Sequence, residues 1–251
     1  MFVRDVYFTY LLAAMAGTAA LLYGVRIAVR GVAHSDRVGK MGGNMLVGQG
    51  IMDWTYWAVE PIVRGTAALG ITPNHLTWAA LVLGLGAGVA LAFGQFGLAT
   101  LLATWSTIGD ILDGQVARLT GTGSNRGEVL DAAVDRYTEF AFVGGLVFYF
   151  RESPALMGLS LGALLACFMV SYSTAKAEEM QVTPPRGLMR RHERAVYLIV
   201  GAGLTSLFGA MVHARWTELP VEVFQIAGLA MVAIVGNVSA VSRWLRIAKQ
   251  L

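Results

Sequence analysis

Asp110-Ile111-Leu112-Asp113-Gly114-Gln115-Val116-Ala117-Arg118, eight further residues, and then Gly127-Glu128-Val129-Leu130-Asp131-Ala132-Ala133-Val134-Asp135 is the stretch on which the reading of this chain turns. Apolar sequence leads into it and follows it, yet it carries four aspartates at regular spacing. An aspartate in mid-membrane costs roughly 2.5–3.5 kcal/mol on the insertion scale, so four standing alone would cost on the order of 10 kcal/mol. A chain this apolar keeps such residues only with compensation, and bound cations are the obvious form.

The spacing sets the geometry. At about 100° per residue, Asp110, Asp113, Gly114 and Ala117 share one face of a helix, and Gly127, Asp131 and Asp135 share one face of the next. The turn from Leu119 to Arg126 is short and rich in Gly, Ser and Thr, which predicts antiparallel neighbours with carboxylates converging at similar depth. Clustered hard oxygen ligands suit Mg²⁺, Mn²⁺ or Ca²⁺ and suit zinc or copper poorly. Small residues on the same faces leave room for a ligand to lie against the backbone. The pattern points to a divalent-metal site with a bulky, phosphorylated substrate.

The same residues, Asp110-x-x-Asp113-Gly114-x-x-Ala117-Arg118, eight residues, Gly127-x-x-x-Asp131-x-x-x-Asp135, match every fixed position of the CDP-alcohol phosphotransferase signature, and the chain resembles that family. The resemblance implies an all-α, polytopic membrane helix bundle with a six-helix catalytic core. It implies transfer of a phosphatidyl or other substituted phosphoryl group from a CDP-linked donor, such as CDP-diacylglycerol, to an alcohol. CMP is released, and the setting is phospholipid biosynthesis. By resemblance, Asp110, Asp113 and Asp131 are metal ligands to two Mg²⁺ or Mn²⁺ ions, and Asp135 is a ligand or the general base. Asp110 and Asp113 also face the donor. Gly114, Ala117 and Gly127 would wall the cytidine nucleotide, with Arg118 as its cationic partner.

Composition agrees with a membrane protein: of 251 residues, 56% are hydrophobic and 14% charged. Nothing in it suggests a nucleic-acid partner. The single cysteine, Cys167, excludes an internal disulfide and reads as a small packing residue in an apolar helix. Residues 6–29 form an apolar run followed by Arg26, Arg30, Arg37 and Lys40, which is an uncleaved anchor rather than a signal peptide. Met41–Gly50 reads as a Gly-rich linker. Residues 51–69 are interrupted by Asp53, Glu60, Pro61 and Arg64. With Trp54, Tyr56 and Trp57 they fit an amphipathic helix in the interface, or one packed on the next span. Spans then follow at 75–94, 97–119, 128–150, 155–177, 194–213 and 221–245. The expected organisation is thus an anchor and linker over 1–50, an interfacial helix over 51–70 and a catalytic domain over 71–251. Gly84, Gly86 and Gly88 have no strand before them and read as helix-packing positions.

Charge asymmetry sets the topology. Arg26, Arg30, Arg37, Lys40, Arg64, Arg118, Arg126, Lys176, Arg186, Arg190, Arg191, Arg194, Arg243, Arg246 and Lys249 fall on one side, and Arg4, Arg151 and Arg215 on the other. The first side is cytoplasmic, the N-terminus is outside, and the aspartates open to the cytoplasm of a prokaryotic membrane.

Weaker signals surround this core. Ile71-Thr72-Pro73-Asn74-His75-Leu76-Thr77 looks like the opening of the family's first span and places Thr77 near the nucleotide; Pro73 after Thr72 is also plain helix initiation. Glu128 and Glu139 lie toward the flank of the aspartate face and are left out of the site. His75, His192 and His213 read as interfacial polar residues. Lys176, Arg186, Arg190, Arg191 and Arg194 are either a solvated positive-inside loop or a pocket for an acceptor's phosphate, which a guanidinium fork matches. Ser171-Tyr172, Lys176-Ala177-Glu178 and Glu193-Arg194, with Arg136 after the last aspartate, are similar to the phosphatidylinositol-phosphate synthases, which use a phosphorylated inositol. Thr183-Pro184-Pro185-Arg186 has no counterpart there. A phosphorylated polyol, inositol phosphate or glycerol phosphate, is the expected acceptor, with phosphatidylglycerol or another unphosphorylated alcohol as the alternative. The resemblance allows a homodimer. Intramembrane carboxylates also mark cation transporters, but those spread acids along several helices, whereas here they are confined to two.

Overall fold

A computed structural model describes residues 2–32, 49–185 and 187–251, and among them the chain is all helix. The helices are α1 (Phe2–Arg30), α2 (Gln49–Ala68), α3 (Pro73–Ala92), α4 (Phe96–Thr120), α5 (Asn125–Tyr149), α6 (Pro154–Glu179), α7 (Arg191–Arg215) and α8 (Val223–Ala248). The expected linker lies almost wholly outside the described residues, as do Arg37, Lys40 and Arg186. Asp5–Arg30, α3, α6, α7 and α8 are long and apolar enough to cross a membrane. Helices α4 and α5 have 25 residues each, also a spanning length, but carry the charged signature. The chain is a multi-pass membrane protein.

The chain divides into two compact units, and the division cuts α1, α3, α4 and α5. One unit comprises residues 10–80 and 105–134. Its core is Val59 and Val63 of α2 against Leu112 and Val116 of α4. The amphipathic helix therefore packs on the aspartate-bearing helix, and its Trp57 ring meets Tyr23 of α1 at 5.1 Å. The link between the two aspartate helices is tightly specified. Gly121, at φ +67°, ends α4 in the left-handed conformation that a side chain disfavours, and Thr122 N–H returns to the Ala117 carbonyl at 3.0 Å. Two residues later the Ser124 hydroxyl accepts from Gly127 N–H at 3.2 Å and caps α5.

The other unit comprises residues 1–9, 81–104 and 135–251. Its core draws on α3 through α8, including Leu91, Phe96, Leu146, Cys167, Leu198 and Leu229. α8 packs against both α6 and α7. Glycine brings the backbones together: a Cβ on Gly88 would collide with the Ala141 carbonyl, and one on Gly145 with the Gly88 carbonyl. Gly88 is thus a helix-packing position, where lipid offers no hydrophobic drive and close approach supplies the attraction.

The first turns of α1 belong to this unit. Asp5, 8% exposed, accepts backbone N–H bonds from Gly97 at 2.7 Å and Leu98 at 2.9 Å, which are donors that the start of α4 leaves unpaired. Thr9 bonds Ser206 of α7 at 3.1 Å. A Cβ on Gly97 would strike the Asp5 carbonyl, so glycine there admits α1. The anchor helix is docked by a carboxylate on a helix dipole. Replacing Asp5 with Ala should lower unfolding stability by about 1–2 kcal/mol, and Asp5→Asn by less. Denaturant titration in detergent checks this, and equal stability of Asp5→Ala and wild type would refute the docking role.

Candidate metal centre and active site

The signature spacing places its residues as helix geometry requires. Asp110 and Asp113 sit one turn apart on α4, and Asp131 stands on α5 two turns after its Ser124 cap. One carboxylate oxygen from each lies within 4.8 Å of the others. At an effective dielectric of about 20, like charges at that distance repel by about 3–4 kcal/mol per pair. A hard divalent cation turns this repulsion into attraction, and an all-carboxylate donor set fits Mg²⁺ or Mn²⁺. Asp113 is buried, and Asp110 and Asp131 are half-buried.

Thr77 of α3, 4% exposed, places its hydroxyl 2.6 Å from Asp113 Oδ2 and 3.1 Å from the Pro73 carbonyl. With one proton to give, the hydroxyl donates along the shorter, charge-assisted path. Thr77 was expected beside the nucleotide; its contact here is with a metal-ligand candidate. The Arg118 guanidinium overlies Gly114, where a Cβ would come 3.3 Å from Nη1. A Cβ on Gly127 would stand at ordinary contact distances of 3.4 Å from the Ser124 hydroxyl and 3.8 Å from Asn74 Oδ1. Ala117 is half-buried on the same helix.

Asp135, in the second unit, keeps different company. Arg191 of α7 pairs with its Oδ1, and Arg136 stands 3.9 Å from its Oδ2. Arg136 also pairs with Glu139 at 3.2 Å, and Glu139 receives Arg194 at 2.7 Å. Arg194 is 1% exposed, and its Nη2 reaches toward the Cys167 carbonyl and Ser171 hydroxyl as well. Glu139, left out of the expected site, is therefore the acid that makes this arginine cluster tolerable in an apolar bundle. Only its position one turn after Asp135 hinted at it, since its partner Arg194 is 55 residues away. Glu193, also buried, accepts from Arg190 N–H at 2.7 Å and caps α7, which starts that helix at Arg191, earlier than the apolar pattern suggested. Lys176, on α6, pairs with Glu179 at 2.9 Å. Of the expected acceptor residues, the structure thus joins Arg136 and Arg194 through Glu139. It leaves Lys176 in a local pair, and Arg186 is outside the described residues.

Known proteins resemble this chain over its greater part. The CDP-alcohol phosphatidyltransferase family profile matches residues 70–248. A phosphatidylinositol phosphate synthase of Corynebacterium glutamicum is 37% identical over 156 residues, covering 59% of this chain and 70% of that one. The corresponding enzyme of Mycolicibacterium smegmatis is 31% identical over 186 residues, covering 72% and 82%. Among solved structures, the Mycobacterium tuberculosis phosphatidylinositol phosphate synthase with CDP-DAG bound superposes with a TM-score of 0.64 at 25% identity, over 74% of this chain and 92% of that one. The same enzyme in complex with manganese and citrate has the same fold, with a TM-score of 0.65 at 24% identity over 75% and 88%. The signature, the carboxylate cluster and the match over residues 70–248 together make the chain a member of the CDP-alcohol phosphatidyltransferase family.

Proposed function

We propose that this chain transfers the phosphatidyl group of CDP-diacylglycerol to a hydroxyl of a phosphorylated polyol, inositol phosphate foremost, with release of CMP. The gathering of Asp110, Asp113 and Asp131 within 4.8 Å carries the reading. Relatives named as phosphatidylinositol phosphate synthases support the acceptor, and a structural neighbour with CDP-DAG bound supports the donor. Two divalent ions, held by Asp110, Asp113 and Asp131 together with Asp135, would supply charge neutralisation of the donor's pyrophosphate.

The chain's own residues account for the rest. An alcohol holds its proton far more tightly than a carboxylic acid does, so Asp135 takes the proton as the new oxygen–phosphorus bond forms and the bond to CMP breaks. Thr77 fixes one oxygen of the Asp113 carboxylate. Arg118 presents a cation to the nucleotide, and Gly114, Ala117 and Gly127 keep the backbone approachable. Arg136, Arg190 and Arg194, with Lys176, form the cationic side toward the acceptor.

The catalytic domain is residues 71–251, a reading supported by the family match over 70–248. The site opens to the cytoplasm, where CDP-linked donors are made, and the N-terminus is outside. The Asp5 bonds to Gly97 and Leu98 support this, since they set the N-terminus beside the end of α4 opposite Arg118.

Purified protein with CDP-diacylglycerol and Mn²⁺ or Mg²⁺ should release CMP only when a phosphorylated polyol is added, and chelation should stop it. Inositol phosphate, inositol, glycerol phosphate, serine and phosphatidylglycerol would be compared singly; equal turnover of inositol and inositol phosphate sinks the acceptor assignment. Metal flux into liposomes without CMP release would point to a transporter instead. Asp135→Asn should lower kcat by about 10²–10⁴-fold, the usual worth of a general base. Retention of more than a tenth of wild-type kcat would remove Asp135 from that role. Thr77→Val should weaken metal affinity or activity by about 10–100-fold, as loss of an outer hydrogen bond to a ligand does, and Thr77→Ser should restore it. A metal titration of activity decides this; an unchanged half-saturating Mn²⁺ concentration in Thr77→Val would contradict it.

A further inference from the structure

We propose that Tyr23 of α1, Trp54 of α2 and a strip of small residues along α1 hold a glycerophospholipid of the surrounding membrane. Its ester carbonyl oxygens accept hydrogen bonds from the Tyr23 hydroxyl and the Trp54 indole. The proposal goes beyond the reaction assigned above and does not rest on it, since both helices precede the family match that begins at residue 70.

Tyr23 is 8% exposed, and its buried hydroxyl has no hydrogen-bond partner. Its ring packs on Trp57 with centroids 5.1 Å apart and planes tilted by 42°. A phenylalanine would fasten α1 to α2 by that contact equally well. The hydroxyl is left unexplained, because a buried polar group is costly unless it is hydrogen-bonded. Trp54 stands one turn before Trp57 on the same flank of α2, and its indole Nε1 is also buried without an acceptor. An indole N–H can only donate, so a molecule that answers both groups must bring acceptor oxygens.

Depth identifies the molecule. Tyr23 lies one turn before Arg26 and two before Arg30, at the basic end of a helix long and apolar enough to span. Tyrosine and tryptophan at that level meet the boundary between headgroups and acyl chains. The arginines stand level with lipid phosphates, and Tyr23, a turn deeper, stands level with the esters. The surface of α1 beside Tyr23 gives the acyl chain a path. At about 100° per residue, Ala13, Ala16, Gly17, Ala20 and Gly24 fall in one strip roughly 100° wide whose edge meets Tyr23. All five are exposed, and a Cβ at Gly17 or Gly24 would meet nothing within 4 Å. Small residues also admit a second helix. The carbonyls of such a helix are committed to its own backbone, so it would leave Tyr23 and Trp54 unanswered.

The test compares two phosphatidylcholines, one with ester-linked and one with ether-linked chains, added to delipidated full-length protein in detergent. The ether lipid lacks the carbonyls. The ester lipid should raise the thermal midpoint of the wild type by about 2–4 °C more than the ether lipid does. Tyr23→Phe and Trp54→Phe keep an aromatic ring and remove the donor, and each should lose most of that difference. Without lipid, Tyr23→Phe should melt no lower than the wild type, because it deletes an unanswered hydroxyl. Gly24→Leu fills the strip but spares the hydroxyl, and should lose protection by both lipids. Equal protection of the wild type by the two lipids, or full ester-dependent protection of Tyr23→Phe, overturns the proposal. A lipid-free Tyr23→Phe that melts clearly lower overturns it as well, since the hydroxyl would then have its partner within the protein. Conversion of a dimer to a monomer by Gly24→Leu, with lipid protection intact, would give the strip to a second copy instead. The KM for CDP-diacylglycerol should be unchanged in Tyr23→Phe; a raised KM would make the bound lipid the donor itself and overturn its assignment as a resident membrane lipid. A protein silent in turnover yet protected through Tyr23 would sink the reaction proposed above and leave this site standing.

Discussion

Carboxylates held close together inside an apolar bundle are the constraint from which the rest of this structure follows. Asp110, Asp113 and Asp131 bring three oxygens within 4.8 Å. Such a cluster persists only if something positive enters it and if the helices that carry it cannot relax apart. The second requirement explains much of the local architecture. Gly121 and the Ser124 cap fix the turn between α4 and α5, and the Val59 and Val63 face of α2 packs on Leu112 and Val116 behind the aspartates. Thr77 holds the most buried of the three carboxylates by a short hydrogen bond.

The cations of the other unit obey the same rule with opposite sign. Arg194 is almost wholly enclosed, and Glu139 carries the burden of keeping it so while also holding Arg136. Removing one partner from such a pair leaves an uncompensated charge, which is far more damaging than never having had the pair. Arg243 is held instead by the Thr174 hydroxyl, to which its Nη1 donates at 2.9 Å.

In lipid, apolar contact between helices brings no hydrophobic gain, so small residues and polar contacts do the joining. Gly88 and Gly145 let α3 and α5 touch through backbone, and Gly97 lets α1 reach the start of α4. The N-terminal helix, whose purpose could not be read from its apolar sequence, is fastened by Asp5 and Thr9. Its remaining length is largely unburied, as a lipid-facing helix should be.

Helix periodicity, apolar length and turn chemistry act over a few residues, so the sequence by itself determined the bundle, the paired aspartate helices and their convergence. Asp110, Asp113 and Asp131 meet because 3.6 residues per turn and one short turn leave them no alternative. Tertiary structure alone decided the partners. Thr77 reaches Asp113 across 36 residues, Arg194 reaches Glu139 across 55, and Asp5 reaches Gly97 across 92. No local pattern marks Glu139 as an arginine's counter-charge. That depends on which helix faces lie together, and so on packing between segments far apart in the chain.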